Sequence, residues 1–313
     1  MDDGQEEDKR KIVIWGSPLN SHTHSYIHSS FYKAFKHLGH DVYWFHDDEY
    51  PEDFNYDDCV FLTEGFADKN IPLRETSTYY VHVCVNPKKY LGKVKKLIDV
   101  RYLQESMDND NYDFVLDRDN CTELDSGVLY DDKSDEYDII YCGWGTDLLP
   151  HEINFEWVNI PREKNYYFIG STSSEGRFAN AHLISEFARY CHSIDVNFVY
   201  VNPWTNPVTD ERNRELVQKS FMSPDFRNAT HKKWGYLACR LVKSISYGHV
   251  GITNSPINAK FVDDTVICKP TVKEMFEEGL KYKDDKELIR HQMSVVKYKH
   301  TYVNRINGML KVL

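Results

Sequence analysis

The chain has no CxxC pair, no run approaching 18 apolar residues and no excess of basic residues, and each absence removes a class of function. Its seven cysteines stand singly at 59, 84, 121, 142, 191, 239 and 268. An odd total, set mostly in apolar stretches such as DDCVFLTEG and YYVHVCVNP, opposes a disulfide frame or a cysteine-held zinc ion. Reduced core cysteines and a cytoplasmic protein are the expectation. Lack of a long apolar run leaves no transmembrane segment, and the opening MDDGQEEDKRK has no apolar core of a signal peptide. A net charge of −11 argues against a nucleic-acid partner, which usually meets a basic surface, but leaves room for a local basic pocket. GxSxG and HExxH are absent, and with them the common hydrolase signatures. No GK[ST] or GxGxxG loop is present either.

What remains is a chain of 313 residues, 41% hydrophobic and 14% aromatic, enough for one large core or two ordinary ones. KIVIWGSPLN reads as a buried strand closed by a Gly-Ser-Pro turn. In the segment that follows, Ile27, Phe31, Ala34, Phe35 and Leu38 recur at helical spacing before Gly39, and DVYWF is the next strand. The same order returns in YYFIGSTSSEGRFANAHLISEFARYCHSIDVNFVYVN. Gly16 to Asp41 and Gly170 to Asp195 each span 25 positions. This repeat predicts an α/β protein of two doubly wound, Rossmann-like domains facing each other across a cleft and joined near residues 145–160.

In such sheets ligands sit at the carboxyl ends of strands, which selects Pro18–Ser25, Thr63–Gly65, Gly170–Gly176 and Asn254–Pro256. GSTSSEGR, from Gly170 to Arg177, joins strand to helix with small and hydroxyl residues and exposes backbone N–H groups suited to a phosphate. In CRLVKSISYGHVGITNS, Ala238, Leu241, Val242 and Ile245 share one helical face, while Arg240, Lys243 and Tyr247 fall on the opposite one. That face is either a solvated surface or a pair of cations aimed at an anionic ligand. Arg227 in MSPDFRN lies close enough in sequence to join a diphosphate clamp. Near the first strand, SHTHSYIH offers His22, His24 and His28. A histidine there could take a proton from a hydroxyl, as could Glu64 in FLTEG at the same sheet edge. The spacing of His22 and His24 does not suit zinc. The acidic triplets at Asp108–Asp110 and Asp117–Asp119 have a DxD form that can hold a metal ion, but their Asp-rich setting reads as solvated loop.

Taken together, the two Gly-Ser turns and GYLACRLVKSISYGHVGITNS resemble the GT-B class of nucleotide-sugar glycosyltransferases. Arg240 and Gly248 keep the frame of that class's donor-site helix. Lys243 stands where many members carry a ribose-binding glutamate, which is similar to the fucosyltransferase-like variants. The resemblance implies a tail at 1–10, an acceptor-binding domain at 11–152, a donor-binding domain at 153–290 and a closing helix at 291–313 that packs back across the domains. It further implies a UDP-, GDP- or dTDP-sugar donor, a glycan or glycoprotein acceptor, and no cofactor or metal. Donor contacts fall on Gly170, Ser171, Arg227, Arg240, Lys243, Tyr247, Asn254 and Ser255. Proton abstraction falls on His24, His22 or Glu64, with Asp147 in reserve. The alternatives are a metal-dependent DxD transferase and a non-catalytic binding protein for a small anion.

Overall fold

The computed structural model describes residues 9–18, 23–132 and 136–313. It divides into two compact units. One comprises Met1–Leu103, Met107–Gly143 and Tyr302–Leu313, and the other Gln104–Ser106 and Trp144–Thr301.

The first unit opens with β1 (Lys11–Trp15), α1 (Thr23–His37) and β2 (Asp41–Phe45). Next come β3 (Cys59–Glu64), β4 (Thr78–His82) and β5 (Lys96–Tyr102). A small pair, β6 (Ser106–Asp108) and β7 (Asp113–Val115), precedes β8 (Cys121–Asp125), β9 (Val128–Asp131) and β10 (Asp138–Cys142). Eight strands form one sheet in the order β2-β1-β3-β4-β5-β10-β9-β8. Pairing is parallel from β2 to β10, and β9 and β8 close the edge antiparallel. Every residue of β3 is buried, as expected of a central strand covered on both faces.

That cover is not doubly wound. Residues 65–77 and 83–95, which connect β3 to β4 and β4 to β5, contain no α-helix. Both links carry proline and lack a helical apolar stripe. On the face bearing Val13, Trp15, Phe61, Tyr79 and Val81, the core is completed by Tyr56, Ile71 and Tyr90 from the connections. Aromatic rings take the place of a helix layer there, with Phe61 and Tyr79 stacked at 4.4 Å.

The second unit runs through β11 (Asn165–Ile169), α2 (Ala181–His192), β12 (Asn197–Val201) and α3 (Asp210–Lys219). It continues with α4 (Ala229–Trp234), α5 (Cys239–Ser246), β13 (Ile252–Thr253) and α6 (Pro256–Phe261), then β14 (Ile267–Cys268), α7 (Val272–Tyr282) and α8 (Lys286–Lys299). β11 pairs with β12 and β13 with β14, both parallel. The segment 221–225 ties the two pairs together. Phe221 N–H donates to Asn165 O at 2.7 Å, and Asp225 N–H donates to Ile252 O at 2.8 Å. Arg227 therefore follows a strand-like track, not the turn expected from MSPDFRN. Residues 229–246 form two helices and not one, because Gly235 takes the left-handed conformation (φ 67°) and ends α4.

α9 (Tyr302–Leu310) belongs to the first unit. Its Tyr302 ring lies 4.7 Å from Phe31 of α1. Tyr80 Oη donates to Met309 O at 2.6 Å. Arg305, fully buried, donates from Nε to Gly143 O at 2.7 Å and from Nη1 to Ser126 O. A Cβ at position 127 would lie 2.6 Å from the Arg305 guanidinium carbon, so Gly127 is what admits this arginine. No helix of the described residues is long and apolar enough to cross a membrane.

Candidate functional site

In the second unit the ends of β11, of segment 221–225 and of β13 bring Gly170, Arg227, Arg240 and Asn254 together. Arg240, on the first turn of α5, donates from Nη2 to Ile169 O at 2.6 Å and lies over the Phe168 ring at 4.4 Å. Gly170 has φ +146°, and a Cβ there would stand 2.6 Å from Arg240 Nη2. The φ favours glycine at this turn, and the Arg240 guanidinium fills the space a Cβ would take. Arg227 is clasped by Asn254. Its N–H donates to Asn254 Oδ1 at 2.6 Å, and Asn254 Nδ2 donates to Arg227 O at 2.9 Å. Arg227 Nη2 reaches Asp225 Oδ1 at 2.5 Å, while Thr253 Oγ1 and Asn258 Nδ2 hold Oδ2 of the same carboxylate at 3.1 and 2.8 Å. Ser255 is buried, and its hydroxyl caps α6 by accepting from Asn258 N–H.

The electrostatics of this group are unbalanced toward positive charge. Burial lowers the Arg240 pKa, and repulsion from Arg227 lowers it further, with Asp225 opposing. Next to them His231 is pushed down to about 4, by burial first and then by Arg227. Two guanidinium groups thus act on each other, with one buried carboxylate on Arg227. Arg227 Nε is buried with no hydrogen-bond partner among the described residues.

Lys243 and Tyr247 belong to a different cluster. Lys243 Nζ lies 3.6 Å from Asp147 Oδ1, and Tyr247 Oη donates to the same carboxylate at 2.6 Å. Burial, the largest influence, opposes the charge on Lys243, but Asp147 together with Cys239 and Asp210 raises the pKa on balance. Burial and then Asp147 raise Tyr247 well above its ordinary value. Tyr247 thus shares Asp147 with Lys243, as their common face predicts, but not the surroundings of Arg240, and α5 ends before it at Ser246. Tyr247 is its C-cap, with φ −87° and ψ 3°, and its ring is fully buried.

The carboxyl edge of the first unit's sheet carries a second constellation. His24 lies on the first turn of α1, and Glu64, His82 and Tyr102 end β3, β4 and β5. Glu64 is buried, with Oε2 at 3.1 Å from His24 Nδ1 and Oε1 at 3.7 Å from His28 Nδ1. His24 Nε2 lies 3.1 Å from Tyr102 Oη. Burial, followed by His28 and His24, holds His82 well below the usual histidine range. A carboxylate 3.1 Å from Nδ1 favours a proton on that nitrogen, and Nε2, beside Tyr102 Oη, is then the nitrogen able to receive a proton from a hydroxyl. His22 lies outside the described residues.

Asp108, Asp110, Asp117 and Asp119 are exposed. Among the described residues no group of three or more His, Cys, Asp or Glu is arranged to hold a metal ion. Sequence reasoning missed Asp225 and Tyr102. The PD of MSPDFRN looks like a turn, and Tyr102 looks like strand core.

No family model matches the chain, and a search of curated proteins finds no match. Among solved structures, the chain is similar to the glycosyltransferase SnogD from Streptomyces nogalater. The TM-score is 0.40 at 9% identity, over 97% of this chain and 99% of that one.

Proposed function

We propose that the protein is a glycosyltransferase that moves a sugar from a nucleoside-diphosphate donor to a hydroxyl of a glycan acceptor without a metal ion. One observation carries the reading. Arg227 and Arg240 repel one another beside a single buried carboxylate, at strand ends and next to a glycine turn. An anion relieves that repulsion, and a diphosphate leaving group is the anion whose charge grows during glycosyl transfer. Lys243, tied to Asp147, adds little to the positive field. Tyr247 has no part in donor contact in this reading, and Asn254 and Ser255 act by holding Arg227 and α6. His24, oriented by Glu64, accepts the proton of the acceptor hydroxyl.

The test is thermal shift with UDP, GDP, dTDP and inorganic pyrophosphate, followed by transfer assays with the corresponding sugars in excess EDTA. A ligand at about 100 times its dissociation constant adds about 2.7 kcal/mol of stability. His24→Ala and Glu64→Gln are expected to lower turnover about 10²–10⁴-fold while nucleotide binding persists. Absence of stabilisation by any of the four anions sinks the reading. Loss of activity on chelation, restored by Mn²⁺, sinks its metal-independent part and returns attention to the aspartate-rich stretch.

A further inference from the structure

Beside Gly170 the surface of the second unit carries large rings that the core does not absorb. Trp204 is 42% exposed and Tyr200 41%. Both are tethered through their polar atoms to the loop that follows β11. Trp204 Nε1 donates to Ser171 Oγ at 2.5 Å, and Thr172 Oγ1 donates to Tyr200 Oη at 3.2 Å. The backbone under the indole is fixed as well, since Trp204 N–H donates to Asn202 Oδ1 at 3.0 Å and Asn206 N–H to Asn202 O at 2.9 Å. An indole held by its nitrogen, with its carbon surface left to solvent, is a ring prepared for stacking. The rings connect directly to the cations. Tyr200 stacks on Phe168 at 6.3 Å, and Phe168 is the ring beneath the Arg240 guanidinium.

We infer that Trp204, with Tyr200 beside it, is the platform on which the base of a nucleoside diphosphate stacks while its phosphates meet Arg240 and Arg227. This rests on the anion site proposed above and adds the ring that selects a nucleotide over a bare diphosphate. A ligand combining a planar ring with two phosphates matches both parts at once. A phosphorylated sugar lacking a base would leave the indole uncovered.

The experiment compares binding of UDP, GDP and inorganic pyrophosphate to the intact protein by calorimetry and by quenching of tryptophan fluorescence. Variants are Trp204→Ala, Trp204→Phe and, as a control for loss of an exposed ring elsewhere on this unit, Tyr282→Ala. Trp204→Ala is expected to weaken UDP or GDP roughly 5- to 150-fold, which is base stacking of about 1–3 kcal/mol converted at 1.4 kcal/mol per tenfold. Pyrophosphate binding stays unchanged in that variant, Trp204→Phe recovers most of the nucleotide affinity, and Tyr282→Ala behaves as the parent. If pyrophosphate binds the parent protein as tightly as UDP and GDP, or if Trp204→Ala weakens all three equally, the platform is overturned while the anion site stands. If pyrophosphate does not bind the parent protein at all, the anion site falls and the platform with it.

Discussion

Asp147 receives a hydroxyl from Tyr247 and faces an ammonium from Lys243, and that arrangement decides what substitutions on α5 do. On the helical wheel alone, replacing residues of this face should leave stability untouched. The side chains say otherwise. Tyr247→Phe removes the donor from a carboxylate with little access to water, and hydrogen bonds to charged groups contribute about 1.5–3 kcal/mol. Urea unfolding of Tyr247→Phe should show a loss in that range, with an unchanged denaturant slope. A variant as stable as the parent would mean that Lys243 alone satisfies Asp147. At the residue scale the sequence singled out Arg240, Lys243, His24 and Glu64, because cations in an apolar helix and polar groups at strand ends stand out from their surroundings. It could not pair them. Which carboxylate meets which cation depends on residues such as Asp225 and Asp147, which look like ordinary loop acids until the chain is folded.

Elements follow their local signals where those signals are strong. Thr271 and Glu274 form the capping box that starts α7, and Asp285 caps α8. The strand-turn-helix repeat that places Gly16 and Gly170 was legible because buried strands and helical stripes have different periods. Segment 221–225 was not, since Pro224 and the lack of alternation hide its place between β11 and β13. The turn at Gly170 joins element to site. Its φ of +146° is almost closed to other residues, and a Cβ there meets Arg240 Nη2. Gly170→Ala is expected to cost about 1–3 kcal/mol of stability and to weaken pyrophosphate binding by moving the guanidinium. Calorimetry that finds full pyrophosphate affinity in a folded Gly170→Ala protein would detach the turn from the anion site.

At the scale of the whole molecule, both units contain histidines that bind protons more weakly folded than unfolded. His82 in the first unit and His249 in the second lie well below 6.5, and His231 lies at about 4. Each is held neutral chiefly by burial. Their contribution to stability is complete above about pH 6.5 and is lost as pH falls toward the folded-state values, since only the unfolded chain gains protons readily there. Urea midpoints should therefore be level above about pH 7 and fall steeply toward pH 5, with His231→Gln showing a shallower fall. A flat profile across that interval would contradict the neutral, buried state of these rings. The chain divides into two compact units, and the aromatic cover in place of helices in the first unit was hidden from sequence. Tyrosine and tryptophan at alternate strand positions look the same whether a helix or a loop lies above them.

The placement of α9 also orders events during synthesis. Because Tyr302, Arg305 and Met309 complete the core over α1, Gly143 and Tyr80, the first unit leaves the ribosome with that face uncovered. Nearly all of the second unit is translated before the missing helix appears. Phe31 and its neighbours must wait for some 270 further residues, a delay in which exposed apolar surface invites chaperones or aggregation. Nascent chains stalled before residue 302 should thus be the protease-sensitive species, and release of the last turns should protect the beginning of the chain.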